Sequence, residues 1–82
     1  MPMIVMYGAV DCDDTQRTRA HLHARQIPFQ EVSIDEDPEA ERFVIFINNG
    51  FRSTPTLVIG EGKRRVVYTE PSNAELDAEL KA

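Results

Sequence analysis

Cys12 is the one side chain among these 82 residues able to do thiol chemistry, and it stands in the segment Asp11-Cys12-Asp13-Asp14-Thr15. A lone cysteine is often a small core residue. This one follows an apolar run that ends at Gly8 and precedes a helix-forming stretch. Acidic residues mark such a helix start because they sit well against the positive end of the dipole. A helix N-terminus also presents unpaired N–H groups to an anion, so a thiolate there is stabilised. The position predicts an accessible thiol at Cys12. Asp11, Asp13 and Asp14 oppose its ionisation. A unit charge ~4 Å away costs ~1 kcal/mol in water and ~4 kcal/mol near a protein surface, whereas the dipole returns roughly 0.3–1 kcal/mol at an exposed site. Two or three aspartates can therefore cancel the dipole, and the Cys12 pKa is expected not far below the free value of ~8.5. The same aspartates also read as helix caps. His23 lies too far along the helix to assist, about 16 Å at ~1.5 Å per residue, and Arg17 should point away from the mouth.

A single cysteine forms no internal disulfide, and a structural zinc site of several Cys and His lacks its ligands. His21 and His23 are two apart on the expected helix and do not face one another. The aspartate spacing matches no calcium loop. No metal is expected.

The elements that must position Cys12 are readable in outline. Residues 3–7 form an apolar run, as in a buried strand. A helix is expected over about 13–26, with Thr15, Thr18 and Leu22 inward, Ala20 and His21 as further candidates, and Pro28 as its stop. Phe29 to Ile34 alternates as a strand with one polar face. Asp37 caps a second helix with Pro38 at its first position. There Ala40, Phe43, Val44 and Ile47 form an apolar stripe facing the sheet, with Glu39, Glu41 and Arg42 toward water. Ile45 and Phe46 spill off that stripe; if both are exposed, they form an apolar patch. Asn48-Asn49-Gly50 ends the helix. Residues 56–59 and 65–69 read as a hairpin around a glycine-containing turn. Ser72 with Glu75 forms a capping box for a last helix carrying Leu76 and Leu80. The order is β-α-β-α-β-β-α. The first two strands should be parallel, joined by a right-handed crossover, and the last two antiparallel. The fold class is α/β, a four-stranded mixed sheet with helices on both faces, in a single domain over 1–82.

Composition narrows the function classes. The net charge is −5, with 14 acidic and 9 basic residues, so no basic stripe suits nucleic-acid phosphates. Lys63-Arg64-Arg65 reads as a solvated turn. No apolar stretch approaches the ~18–20 residues that cross a bilayer, and the first eight residues lack the features of a signal peptide. A cytoplasmic protein is expected.

Tyr7-Gly8, Cys12 at the helix mouth and Ser53-Thr54-Pro55-Thr56 before the third strand together resemble glutaredoxins, and within them the short actinobacterial type called mycoredoxin. The stretch from Tyr7 to Phe29 matches the pattern without a gap, including Arg17, Ala20, Leu22 and Ile27-Pro28-Phe29. Residues 48–56 resemble the segment Asn-Gly-Gly-x-Arg-Thr-Val-Pro-Thr, and Pro71-Ser72 with Ala74-Glu75-Leu76 resembles the mycoredoxin C-terminal helix. The hairpin around Lys63-Arg64-Arg65 is a little longer than usual. The resemblance implies a thioredoxin fold, a cis Thr54-Pro55 bond and Cys12 as the catalytic thiol. It implies a low-molecular-weight thiol of the glutathione or mycothiol type, lying along Ser53, Thr54 and Pro55 and the helix start at Ser72 and Asn73. Arg52 matches a basic position that can meet a carboxylate, and Phe51 is either core or a wall of the site.

The motif departs from the family's Cys-x-x-Cys or Cys-x-x-Ser. Thr15 stands where a resolving cysteine would be, so any exchange is monothiol, with a second free thiol releasing Cys12. Asp14 replaces an aromatic, and the acidic rim disfavours glutathione relative to a neutral thiol such as mycothiol. The expected partners are a low-molecular-weight thiol and protein mixed disulfides, with no tightly bound cofactor, no nucleic acid and no membrane; a monomer is expected. Two alternatives stand beside this oxidoreductase. One is a binding module on a decayed redox site. The other is an iron–sulfur carrier, whose Cys-Gly-Phe-Ser signature is missing.

Overall fold

A computed structural model describes residues 3–81. The expectations that rest on Met1, Pro2 and Ala82, namely the outer domain limits and part of the signal-peptide reading, lie outside them. Strand β1 (Ile4–Gly8) is central and alternates as a two-sided strand must. Ile4 and Met6 are buried on one face of the sheet, while Tyr7 packs on the other. It pairs in parallel with β2 (Gln30–Ser33) and antiparallel with β3 (Thr56–Ile59), which pairs antiparallel with β4 (Val66–Thr69). The sheet order is β2-β1-β3-β4.

Helices α1 (Asp13–Ala24) and α3 (Asn73–Leu80) cover one face, and α2 (Pro38–Ile47) covers the other. The element order and mixed pairing are those expected from the sequence. Thr15, Thr18 and Leu22 are the buried residues of α1; Ala20 faces solvent. The helix stops two residues before the expected end. Gln26 takes a left-handed φ of 57°, its N–H bonds the His23 carbonyl, and the Ile27 N–H reaches back to the Leu22 carbonyl, each at 3.0 Å. This is a Schellman closure, and it buries Ile27 in the same core cluster as Leu22. The turn, rather than Pro28, ends the helix.

Asp37 caps α2 by accepting the Glu39 and Ala40 N–H groups, each at 3.1 Å. Ala40 and Val44 are buried, and Phe43 packs against Tyr7 with tilted rings whose centroids are 5.0 Å apart. Ile47 departs from the expected stripe and is 37% exposed. It is the last helical residue, and Asn48 after it reaches down instead, its amide bonding the Val44 carbonyl and Thr56 Oγ1. Glu41 is half-buried rather than solvated, because it is drawn to Arg52. Phe46 is exposed but Ile45 is half-buried, so the pair forms no joint patch. Between β3 and β4 a short 3₁₀ turn (Gly62–Arg64) lengthens the hairpin. The Ser72–Glu75 capping box forms as read, and Leu76 beyond it is fully buried.

Candidate functional site

The C-terminal end of β1, the mouth of α1 and the segment before β3 converge on a cleft of about 780 Å³ containing Cys12. Gly8 makes the approach possible. A Cβ on it would stand 2.5 Å from Thr15 Cγ2, so the buried threonine of α1 packs directly on the strand backbone. Cys12 is the N-cap of α1 in an extended conformation; its carbonyl accepts the Gln16 N–H, and its side chain makes no capping bond. The thiol is therefore left for other partners. It is half-buried and donates to the Thr54 carbonyl at 3.3 Å.

Burial pushes the Cys12 thiol up, but it is outweighed. Hydrogen bonding from the side chains of Thr15 and Thr54 and from the backbone N–H groups of Thr15 and Asp14 holds the pKa below its ordinary value. Thr15 suits this role. Its oxygen already accepts the Ala9 N–H at 3.3 Å, which leaves its own proton to give.

Asp11 and Asp13 are exposed beside Cys12 and, with Asp14, line the cleft. Asp14 accepts from Arg17 at 3.4 Å. Arg17 itself turns toward α3, bonding the Pro71 carbonyl at 2.9 Å and the Asn73 side chain, and it does not line the Cys12 cleft. Arg52 does line it. Its guanidinium is held from two sides, by Glu41 Oε2 and Asp35 Oδ1, each at 2.6 Å. Asp35 also accepts the Val10 N–H at 2.8 Å. That backbone bond first, and Arg52 second, hold the Asp35 carboxyl below the usual range.

Thr54-Pro55 is cis, as expected. Thr54 faces the cleft, while Ser53 and Pro55 support it from behind: the Ser53 carbonyl accepts from Thr56 Oγ1, and buried Pro55 accepts the Glu70 N–H. Ser72 and Asn73 line an adjoining cavity of about 390 Å³, which shares Asp14 and Glu70 with the first. Thus Thr54 meets Cys12 directly, Arg52 lines the same cleft, and Ser72 and Asn73 lie next door. Phe51 is neither core nor wall; it is 69% exposed and lines neither cavity. Asp35, Glu41 and Glu70 are parts of the site that sequence reasoning missed. Asp35 stands in the acidic run Asp35-Glu36-Asp37 ahead of α2, and nothing in its spacing joins it to residue 52.

A groove of about 840 Å³ opens at the opposite end of β1, lined by Met3, Phe29 and Ile59 among others. It holds no nucleophile, so the chemistry belongs to the smaller cleft. Among the described residues no cluster of His, Cys, Asp and Glu is placed to hold a metal ion, and no helix is long and apolar enough to cross a membrane.

The glutaredoxin family model matches residues 4–63. A provisionally named glutaredoxin of Mycobacterium tuberculosis, found in strains CDC 1551 / Oshkosh and H37Rv, is 31% identical over 77 residues, which is 94% of this chain and 88% of the relative. Among solved structures, a point mutant of a thioredoxin-like protein superposes with a TM-score of 0.76 at 24% identity, covering 94% of this chain and 97% of that one. The glutaredoxin of Archaeoglobus fulgidus gives 0.68 at 24% identity, covering 100% and 89%. Mitochondrial thioredoxin 3 of Saccharomyces cerevisiae gives 0.65 at 16% identity, covering 98% and 76%. These structures share the thioredoxin fold with the chain.

Proposed function

This chain belongs to the glutaredoxin family, and from that premise we propose that it is a monothiol thiol–disulfide oxidoreductase of the cytoplasm, with Cys12 exchanging mixed disulfides of a low-molecular-weight thiol. The family supplies the coarse chemistry, thiol–disulfide exchange with thiol and protein disulfide partners. The observation that carries the finer reading is the setting of Cys12. It is the only cysteine, it stands at the N-cap of α1 with no capping bond from its side chain, and its thiol lies beside the Thr54 carbonyl in the wall of an open cleft.

In the first step the Cys12 thiolate attacks the small-thiol sulfur of a protein mixed disulfide. That S–S bond breaks, a Cys12–small-thiol disulfide forms, and the protein leaves as a thiolate that takes a proton from water. In the second step a further molecule of the small thiol, as thiolate, attacks the small-thiol sulfur bound to Cys12. The small-thiol disulfide is released and the Cys12 thiolate returns. One free small thiol is consumed for each protein mixed disulfide reduced, and it leaves in the small-thiol disulfide joined to the unit taken from the protein. Thr15 takes no covalent part, since a hydroxyl cannot form the internal disulfide. In this reading Thr54, braced by Ser53 and Pro55, binds the small thiol together with Ser72 and Asn73, Arg52 faces its polar groups, and Asp11, Asp13 and Asp14 restrain the thiolate. No tightly bound cofactor is needed.

The test is turnover of a protein mixed disulfide by wild type and Cys12→Ser. Wild type is expected to turn over and Cys12→Ser to be silent; equal rates would remove the proposal. A second reading, a binding module without catalysis, draws on the exposure of Phe46 and Phe51, at 80% and 69%. It predicts no turnover by wild type, with partner binding that survives Cys12→Ser and is lost in Phe46→Ser/Phe51→Ser.

A further inference from the structure

We propose that Asp35 and Glu41, by occupying Arg52 from both sides, set the charge specificity of the Cys12 cleft, so that the small disulfide exchanged there is uncharged or cationic rather than anionic. The inference rests on Cys12 being the exchanging thiol. Among the described residues Arg52 is the one cation lining this cleft, against five carboxylates: Asp11, Asp13, Asp14, Asp35 and Glu70. A carboxylate-bearing thiol would need that guanidinium. Its Nε is already given to Glu41 and its Nη2 to Asp35, each at 2.6 Å. Arg52 keeps N–H groups on Nη1, but its single positive charge is already shared by two carboxylates, so an entering carboxylate meets a cluster of net negative charge unless it displaces one of them. Asp35 is poorly placed to yield, because its second oxygen holds the Val10 N–H at 2.8 Å, two residues from Cys12. Arg17, the next cation, is committed to Asp14, Asn73 and the Pro71 carbonyl. Among the described residues an anionic ligand therefore finds in the cleft only a cation already paired with two carboxylates, and an ammonium group finds several carboxylates. Charge complementarity of this kind acts mainly on encounter and on rejection of the wrong partner.

Three symmetrical disulfides of similar size provide the test: cystamine with two ammonium groups, hydroxyethyl disulfide with none, and dithiodiglycolate with two carboxylates. Reduced protein attacks each one; one S–S bond breaks, the Cys12 mixed disulfide forms, and one small thiolate leaves and is measured. Each rate at low ionic strength is divided by that of a free-cysteine peptide, which removes the probe's own reactivity. Wild type is expected to favour cystamine over dithiodiglycolate by about tenfold or more. Asp35→Asn/Glu41→Gln is expected to raise the dithiodiglycolate rate by about tenfold, while hydroxyethyl disulfide changes less than about twofold. Adding Arg52→Gln should erase that gain. Glu36→Gln/Glu39→Gln, which removes the same charge but no Arg52 partner, should not reproduce it. Equal normalised rates for the charged probes, or an equal gain in the Glu36/Glu39 variant, would overturn the specificity while leaving exchange at Cys12 standing. Failure of wild type to react with the neutral probe would overturn the exchange itself, and the specificity with it.

Discussion

On the α1 and α3 side of the sheet, Ile4, Met6, Leu22, Ile27, Leu57, Ile59 and Leu76 form one continuous buried apolar cluster, whereas the buried apolar cluster on the α2 side is Ile34, Ala40 and Val44, backed by Tyr7 and Phe43 among others. The α2 side compensates with polar ties. Asn48 bonds Val44, Thr56 and Thr69, and Thr56 bonds the Ser53 carbonyl. Arg52 joins α2 to the segment after β2. A thin apolar layer is the norm for so small a chain, but here it is divided unequally. One face supplies most of the cohesion. The other fixes directions, and the strand-leading segment 53–55 is among the things it fixes.

Substitutions on each side can break that contrast. The largest effect is expected at Leu76, fully buried on the thick side; Leu76→Ala should cost about 2–5 kcal/mol in denaturant unfolding. A loss below about 1 kcal/mol would show that the thick face is not the main source of stability. Asn48→Ala should cost about 1–3 kcal/mol through orphaned partners, and it should also slow exchange at Cys12, because the Thr56–Ser53 tie loses its brace. If stability falls with no change in exchange, the polar side is structural alone.

Thr15→Val keeps the shape and removes the hydroxyl, at roughly 1 kcal/mol. Its sharper readout is alkylation rate against pH. The thiolate is the reacting form, so the rate rises with pH through the thiol pKa, and a lowered pKa completes that rise at lower pH. Removing one of the groups that lower it should move the rise to higher pH, and Thr15→Ser should restore it. Asp13→Asn/Asp14→Asn should move the rise the other way, to lower pH, by relieving like-charge repulsion; an unchanged profile would mean that the local donors dominate. The smallest effect is expected at Phe46, which is 80% exposed. Phe46→Ser should fall within about 0.5 kcal/mol of wild type, and a larger loss would mean that the thin side hides packing not apparent from the fold.

Local signals carried most of the architecture. Asp37-Pro38 and Ser72 with Glu75 announced two helix starts because capping is decided within four residues. The Thr54-Pro55 geometry was legible only through family resemblance, since X-Pro bonds are cis in about 5–6% of folded cases. The stripe on α2 held for Ala40 and Val44 and failed at Ile47, where periodicity has no knowledge that Asn48 takes the inward place. The charged part of the cleft was harder. Arg52 was recognised, but its partners lie 11 and 17 residues away on other elements. Arg17 meets residues more than 50 positions on. No spacing rule reaches such pairs; only the closed sheet brings them together.

The contact between Gly8 and Thr15 makes the two positions interdependent in mutational order. With a β-branched residue at 15, a methyl at position 8 would stand 2.5 Å from Thr15 Cγ2, so Gly8→Ala made first is expected to be disruptive. Thr15→Cys made first deletes that methyl and installs a second thiol three residues from Cys12. The order matters for any path toward a dithiol protein: position 15 can change while Gly8 stays, and that change removes the nearest of the clashes that hold position 8 to glycine.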